Sequence, residues 1–120
     1  MLFLCYPKCT TCKKAQKWLD DHGVTYEFRN IKEENPTSDE LSEWLRRSGL
    51  PLKRFFNTSG LQYKALNLKD RLPNMSEDEQ LTLLAADGML VKRPLLISES
   101  FVLVGFREKE YEERLVFNRE

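Results

Sequence analysis

Metal-binding side chains are scarce in this sequence: among 120 residues there is one histidine, His22, and three cysteines. Without a second cysteine pair, a tetrahedral zinc site has too few ligands. Three is an odd count, so a disulfide framework does not hold the fold together. Net charge is absent too. Nineteen basic side chains balance nineteen acidic ones, and no global field draws the chain directly to nucleic acid or to an anionic membrane. No run approaches the roughly 20 apolar residues that a bilayer span requires. The apolar start Met1-Leu2-Phe3-Leu4-Cys5-Tyr6 is cut off by Pro7-Lys8, too early for a signal peptide. The expectation is a cytoplasmic protein with its cysteines in a reducing compartment. There, a close cysteine pair is catalytic, redox-sensing or metal-binding rather than a structural staple.

What is present is ordinary globular material, 41% hydrophobic and 32% charged. It suffices for one domain spanning residues 1–120 with a single core. Leu2 to Tyr6 reads as a buried strand. Thr10 to His22 reads as a helix, with Ala15, Trp18 and Leu19 on one side and Gly23 ending it. Thr25 to Arg29 alternates as a second strand, so the opening is β-α-β with two parallel strands. Thr37 to Glu40 and Ser76 to Glu79 are capping boxes, opening helices that close at Gly49 and Gly88. Pro51 to Leu72 is irregular, with short helical turns. Leu95-Leu96-Ile97 and Phe101-Val102-Leu103-Val104 flank Ser98-Glu99-Ser100 as a hairpin. A charged helix, Glu108 to Leu115, follows with Tyr111 and Leu115 facing inward. The implied fold class is α/β: a four-stranded mixed sheet with flanking helices and an inserted helical subdomain at about residues 35–88.

The chemistry concentrates at Cys9-Thr10-Thr11-Cys12, where the first strand hands over to the first helix. First-turn N–H groups lack intrahelical partners, and the helix dipole adds partial positive charge there. A thiolate at Cys9 is therefore favoured, with Lys8, Lys13 and Lys14 adding positive charge nearby. Cys12 lies one turn into the helix, within reach of a sulfur bonded to Cys9. The N-terminal thiol would attack, and the second would resolve the adduct into a disulfide. Cys5, Cys9 and Cys12 also match the spacing of the radical-SAM iron–sulfur barrels, for which the chain is too short. Cys5 falls inside a strand and reads as a small buried hydrophobe. Phe55, Phe56 and Tyr63 read as core of the helical insert, with an aromatic interaction surface as the alternative.

Arg93-Pro94 stands just before a strand, where proline costs no ladder hydrogen bond. Beside a reactive thiol it also suits a cis-proline loop facing Cys9. Tyr6-Pro-Lys-Cys9-Thr-Thr-Cys12-Lys-Lys-Ala15, then Arg93-Pro94-Leu-Leu-Ile, then Val104-Gly105-Phe106, resemble the arsenate reductase (ArsC)/Spx family of the thioredoxin-like superfamily. The resemblance covers nearly the whole chain. It implies a nucleophile at Cys9 that attacks an arsenic oxyanion and an anion-holding guanidinium at Arg93. The helix N–H groups and the Thr10 and Thr11 hydroxyls would complete an anion cradle, with Pro94 beside it. Of the family's three anion-holding arginines, Arg93 alone carries over cleanly. Asn57-Thr58-Ser59 stands where the second falls, with Arg54 three residues early, and the third falls near Phe106 or Arg107, aligning with Phe106 without a gap.

Arsenate reductases of this type lack a cysteine at the Cys12 position and borrow a thiol from glutathione and glutaredoxin. Cys12 instead implies an internal disulfide, recycled by an external thiol donor of the glutaredoxin or thioredoxin kind, with no bound cofactor. The Spx branch does carry Cys-x-x-Cys here. Its members resemble redox-switched regulators that bind RNA polymerase through the C-terminal domain of its α subunit. Two readings stay open: an oxidoreductase acting on a small oxyanion or disulfide, and a redox-switched regulator.

Overall fold

The computed structural model describes residues 1–116. Strand β1 (Leu2–Cys5) leads into helix α1 (Thr10–Asp21), which crosses over to strand β2 (Glu27–Asn30). β1 and β2 run parallel, with Phe3 opposite Phe28 and Cys5 opposite Asn30. Strands β3 (Leu95–Ile97) and β4 (Val102–Val104) come from the far end of the chain. β3 lies antiparallel to β1 and β4 antiparallel to β3, giving the order β2-β1-β3-β4. This is the expected four-stranded mixed sheet of a thioredoxin-like α/β fold. No helix among the described residues is long and apolar enough to cross a membrane.

Side chains alternate across the pleat, and both faces of the central strands are covered. On one face, Phe3, Cys5, Leu96 and Leu103 meet Cys12, Ala15, Trp18 and Leu19 of α1. Tyr111 and Leu115 of helix α6 (Glu108–Leu115) join them there. On the other face, Leu4, Leu95, Ile97, Val102 and Val104 meet the segment between β2 and β3. Burial on both faces explains why β1, β3 and β4 are apolar throughout rather than alternating. β2 departs from expectation. The strand begins at Glu27 and Phe28 is 42% exposed, because β2 is an edge strand with solvent on one flank. Tyr26, just before it, packs edge-on against Phe3 with ring centres 5.3 Å apart.

The β2–β3 segment holds α2 (Ser38–Ser48), α3 (Leu61–Ala65), α4 (Leu68–Arg71) and α5 (Glu77–Ala86), with 3-10 turns at Leu52–Phe55, Leu72–Asn74 and Gly88–Leu90. Both capping boxes form: Thr37 accepts from the Glu40 N–H at 3.1 Å, and Ser76 from the Glu79 N–H at 3.1 Å. Arg29 of β2 grips the same Glu40 carboxylate with two N–H groups, at 2.7 and 2.9 Å. That fork ties α2 to the sheet and, with the Thr37 contacts, holds the Glu40 carboxyl below the usual carboxylate range. Phe55, Phe56 and Tyr63 are buried and form the insert's core, so they present no aromatic surface.

Gly49 sits at φ 68° and closes α2 in the left-handed conformation that glycine favours. Gly88 plays a different part from the expected helix stop. α5 ends at Ala86, Asp87 is extended, and Gly88 opens a 3-10 turn. A Cβ at Gly88 would overlap the carbonyl of Ile31, which directly follows β2. Asn35 secures the same approach by donating to the Ala85 carbonyl. Gly88→Ala is therefore expected to cost about 1–3 kcal/mol, as overpacking of a closed contact does, measured by urea unfolding.

Candidate functional site

The site starts from the turn after β1. The Cys9 N–H donates to the Tyr6 carbonyl at 2.9 Å, which folds Pro7-Lys8 into a turn and sets Cys9 as N-cap of α1. Its carbonyl accepts the Lys13 N–H at 3.1 Å. No side chain caps the helix. The N–H groups of Thr10, Thr11 and Cys12 have no acceptor among the described residues, as the opening of a helix leaves them. A negative charge on or beside Cys9 meets these donors and the positive end of the helix dipole.

Cys12 lies behind Cys9 and is fully buried. Its sulfur accepts the Tyr6 N–H at 3.3 Å, and Cys9 packs against the cluster that holds it. Contact with Cys5, followed by burial, pushes the Cys12 thiol far above its ordinary value. Burial does the same to Tyr111, whose ring belongs to the same core cluster.

The opposite wall comes from the return to β3. Val91 pairs with Phe56, the Lys92 N–H donates to the Phe55 carbonyl at 2.7 Å, and the Asn57 N–H donates to the Leu90 carbonyl at 2.8 Å. The Arg93–Pro94 peptide is cis. The Arg93 guanidinium lies 5.5 Å from the centre of the Tyr6 ring, and the Lys32 ammonium lies 5.9 Å from it. Two cations thus gather over one ring, a favourable arrangement for each of them. Arg93 donates one N–H to the Met89 carbonyl at 3.3 Å, while its Nε has no partner among the described residues.

Between these walls is an open cleft of about 650 Å³. Cys9, Thr11 and Arg93 all line it, together with Lys32, Asn57, Ser59, Asp87 and Lys92. Thr10 is exposed and Pro94 buried, and neither is among the lining residues. Lys32 and Lys92 were not singled out from the sequence. One general signal was available for Lys32: ligands of α/β sheets bind beyond the carboxyl ends of strands, and Lys32 follows β2 as Cys9 follows β1. Where the resemblance places a second arginine, Asn57 and Ser59 form cleft wall. Arg54 lies in a neighbouring depression with Lys53, Thr58 and Lys92. Phe106, in the third arginine's place, stands edge-on to Tyr111 with ring centres 4.8 Å apart. The cations that accompany Arg93 are lysines.

A thioredoxin-like sheet with Cys-x-x-Cys at the first helix, facing an arginine next to a cis-proline, defines the ArsC/Spx class. The pattern of the ArsC family matches residues 4–114, and this chain belongs to that family. It is 54% identical to YusI of Bacillus subtilis, a protein described as uncharacterized, over 94% of this chain and 96% of that one. It is 32% identical to the global transcriptional regulator Spx of Listeria innocua, over 87% of this chain and 78% of that protein. The crystal structure of a possible arsenate reductase from Streptococcus mutans matches with a TM-score of 0.85 and 46% identity, covering 92% of this chain and 96% of that one.

Burial sorts the three thiols. Under native conditions iodoacetamide should modify Cys9 quickly and leave the buried Cys5 and Cys12 unmodified until denaturant is added, as counted by intact mass. The raised Cys12 and Tyr111 also set an alkaline limit. Below the ordinary thiol value of 9.0 both states keep these protons, so the groups do not alter stability. Above it the unfolded chain releases protons that the folded chain retains, and stability falls as pH rises. Thermal melts between pH 8 and about 10.5 should show this decline, with a shallower slope for Cys12→Ala.

Proposed function

We propose that this protein is a thiol-dependent oxidoreductase resembling the arsenate reductases, with Cys9 as nucleophile, Cys12 as resolving thiol and Arg93 as anion holder. The observation that carries the reading is the placement of Cys9 and Arg93 on one open cleft, with the buried Cys12 in the cluster that Cys9 packs against. A tetrahedral oxyanion in the cleft would meet the first-turn N–H groups of α1, the Thr11 side chain and the cations of Arg93, Lys32 and Lys92.

The chemistry follows from these positions. The Cys9 thiolate bonds to the arsenic of arsenate, and an arsenic–oxygen bond breaks with loss of water. The deprotonated Cys12 sulfur then attacks the Cys9 sulfur. The S–As bond breaks, its electron pair stays on arsenic, and arsenite leaves as the Cys9–Cys12 disulfide forms. With a disulfide substrate the same two attacks amount to thiol–disulfide exchange. An external thiol donor of the glutathione/glutaredoxin or thioredoxin kind restores the reduced pair. Because Cys5 and burial hold the proton on Cys12, the resolving step should speed up as pH rises. The site is proposed to work in the cytoplasm, without a bound cofactor and without direct contact with nucleic acid or membrane.

A second reading rests on the similarity to Spx. The same disulfide would then act as a switch for binding the α subunit of RNA polymerase rather than as the end of a turnover. Counting free thiols on the reduced protein before and after arsenate, with peroxide as control, separates the two. Loss of two thiols with arsenate, absent in Cys9→Ser, supports the enzyme. Loss with peroxide alone rejects the arsenate site and favours the switch. Arg93→Ala should weaken arsenate binding by about 1.5–3 kcal/mol, the usual cost of losing a charge-assisted hydrogen bond, read as protection of Cys9 from alkylation.

A further inference from the structure

The site contains a nucleophile that this chemistry leaves idle. Cys5 ends β1 with its side chain turned toward α1, and its carbonyl is held by the Ile31 N–H at 3.0 Å. Its sulfur lies 3.8 Å from the Tyr6 carbonyl oxygen, while the Tyr6 N–H donates to the Cys12 sulfur at 3.3 Å. A single residue, Tyr6, is thus bonded to both sulfurs. Cys5 and Cys12 also belong to one buried cluster, and Cys9 packs against it. Cys5 and Cys12 are 1% and 0% exposed, sealed by Tyr111 and the core around it. A buried thiol beside only apolar neighbours is an inert hydrophobe. A buried thiol packed in the same cluster as one sulfur of a disulfide-forming pair, and held by the same residue, is placed for exchange.

The geometry points to Cys5 as a third redox thiol, which takes over the disulfide from Cys9. This rests on the proposed Cys9–Cys12 disulfide as its starting state. Cys5 attacks the Cys12 sulfur, the Cys9–Cys12 bond breaks, and a Cys5–Cys12 bond forms. Cys9 leaves as a thiolate and receives the proton that Cys5 gives up, so no electrons are gained or lost overall. The departing thiolate is left at the start of α1 on the open cleft, where Cys9 began. The oxidising equivalents move into the core, and the cleft regains its nucleophile before any donor protein has acted. A second substrate can then be attacked at Cys9 while the first oxidation is still stored.

Peptide mapping tests this directly. Trypsin cleaves after Lys8 and Lys13, separating Cys5 in residues 1–8 from Cys9 and Cys12 in residues 9–13. The full-length reduced protein is treated with one equivalent of diamide, quenched in acid, labelled with N-ethylmaleimide under denaturing conditions and digested. The expected product is a cross-link between the two peptides carrying the label on Cys9, lost in Cys5→Ala while the disulfide within 9–13 remains. If all the disulfide lies within residues 9–13 and Cys5 is fully labelled, the inference fails and the Cys9–Cys12 pair stands. If the cross-link carries its label on Cys12, Cys5 has paired with Cys9 and the inference fails as well. If neither disulfide forms, the proposed redox pair falls and the role of Cys5 falls with it. Should Cys5→Ala not fold, the label position in the parent protein decides alone.

Discussion

The contact of Gly88 with the Ile31 carbonyl is the constraint on which the site's shape depends. β2 and β3 are not neighbours in the sheet, and the whole helical insert lies between them in sequence. The chain must therefore leave the sheet at Ile31 and come back to it through Gly88. Passing one backbone directly against another closes the insert into a loop with a fixed base. From that base the return segment is bonded to Phe55 and Asn57 and arrives at the cis Arg93–Pro94 peptide in a set position. Arg93 owes its place over Tyr6 to these backbone bonds. The Arg29–Glu40 fork performs the same service at the outgoing end.

The other half of the site is organised by Tyr6. Its carbonyl takes the Cys9 N–H, its own N–H reaches the Cys12 sulfur, and its ring lies beneath Arg93 and Lys32. Cys9, Cys12 and the two cations are thus referenced to one residue just after β1. That residue is fixed by a strand buried on both faces. The similarity to a transcriptional regulator and to a possible arsenate reductase is understandable on these terms, since both a turnover and a switch require the same pair of sulfurs held in register.

Legibility in the sequence follows the range of the interactions involved. The helix start at Cys9, both capping boxes, Gly49 and the hairpin are set by residues a few positions apart, and each formed where the spacing put it. The apolar run of β1 marked it as buried, while the cover on both faces of β3 and β4 emerged only with the packed helices. What escaped notice was long-range. Gly88 looks like a helix stop until Ile31 is seen against it, and Lys32 looks like a surface lysine until the cleft is assembled. Phe28 alternates like a core residue, but sheet order leaves it on an edge. Cys5 was legible as buried, though not as a neighbour of Cys12, because strand and helix meet only in the folded chain.

The two walls of the cleft also differ in when they come into being. The thiols stand near the start of the chain and Arg93 near its far end, so a ribosome releases them at different times. At roughly 5–20 residues per second, Cys9 and Cys12 wait several seconds before Arg93 has been made. Through that interval the cysteines lack the cation opposite them and the sheet that buries Cys12. On the proposed reading, the newborn segment would carry its thiols before the wall that would select among their substrates has been made.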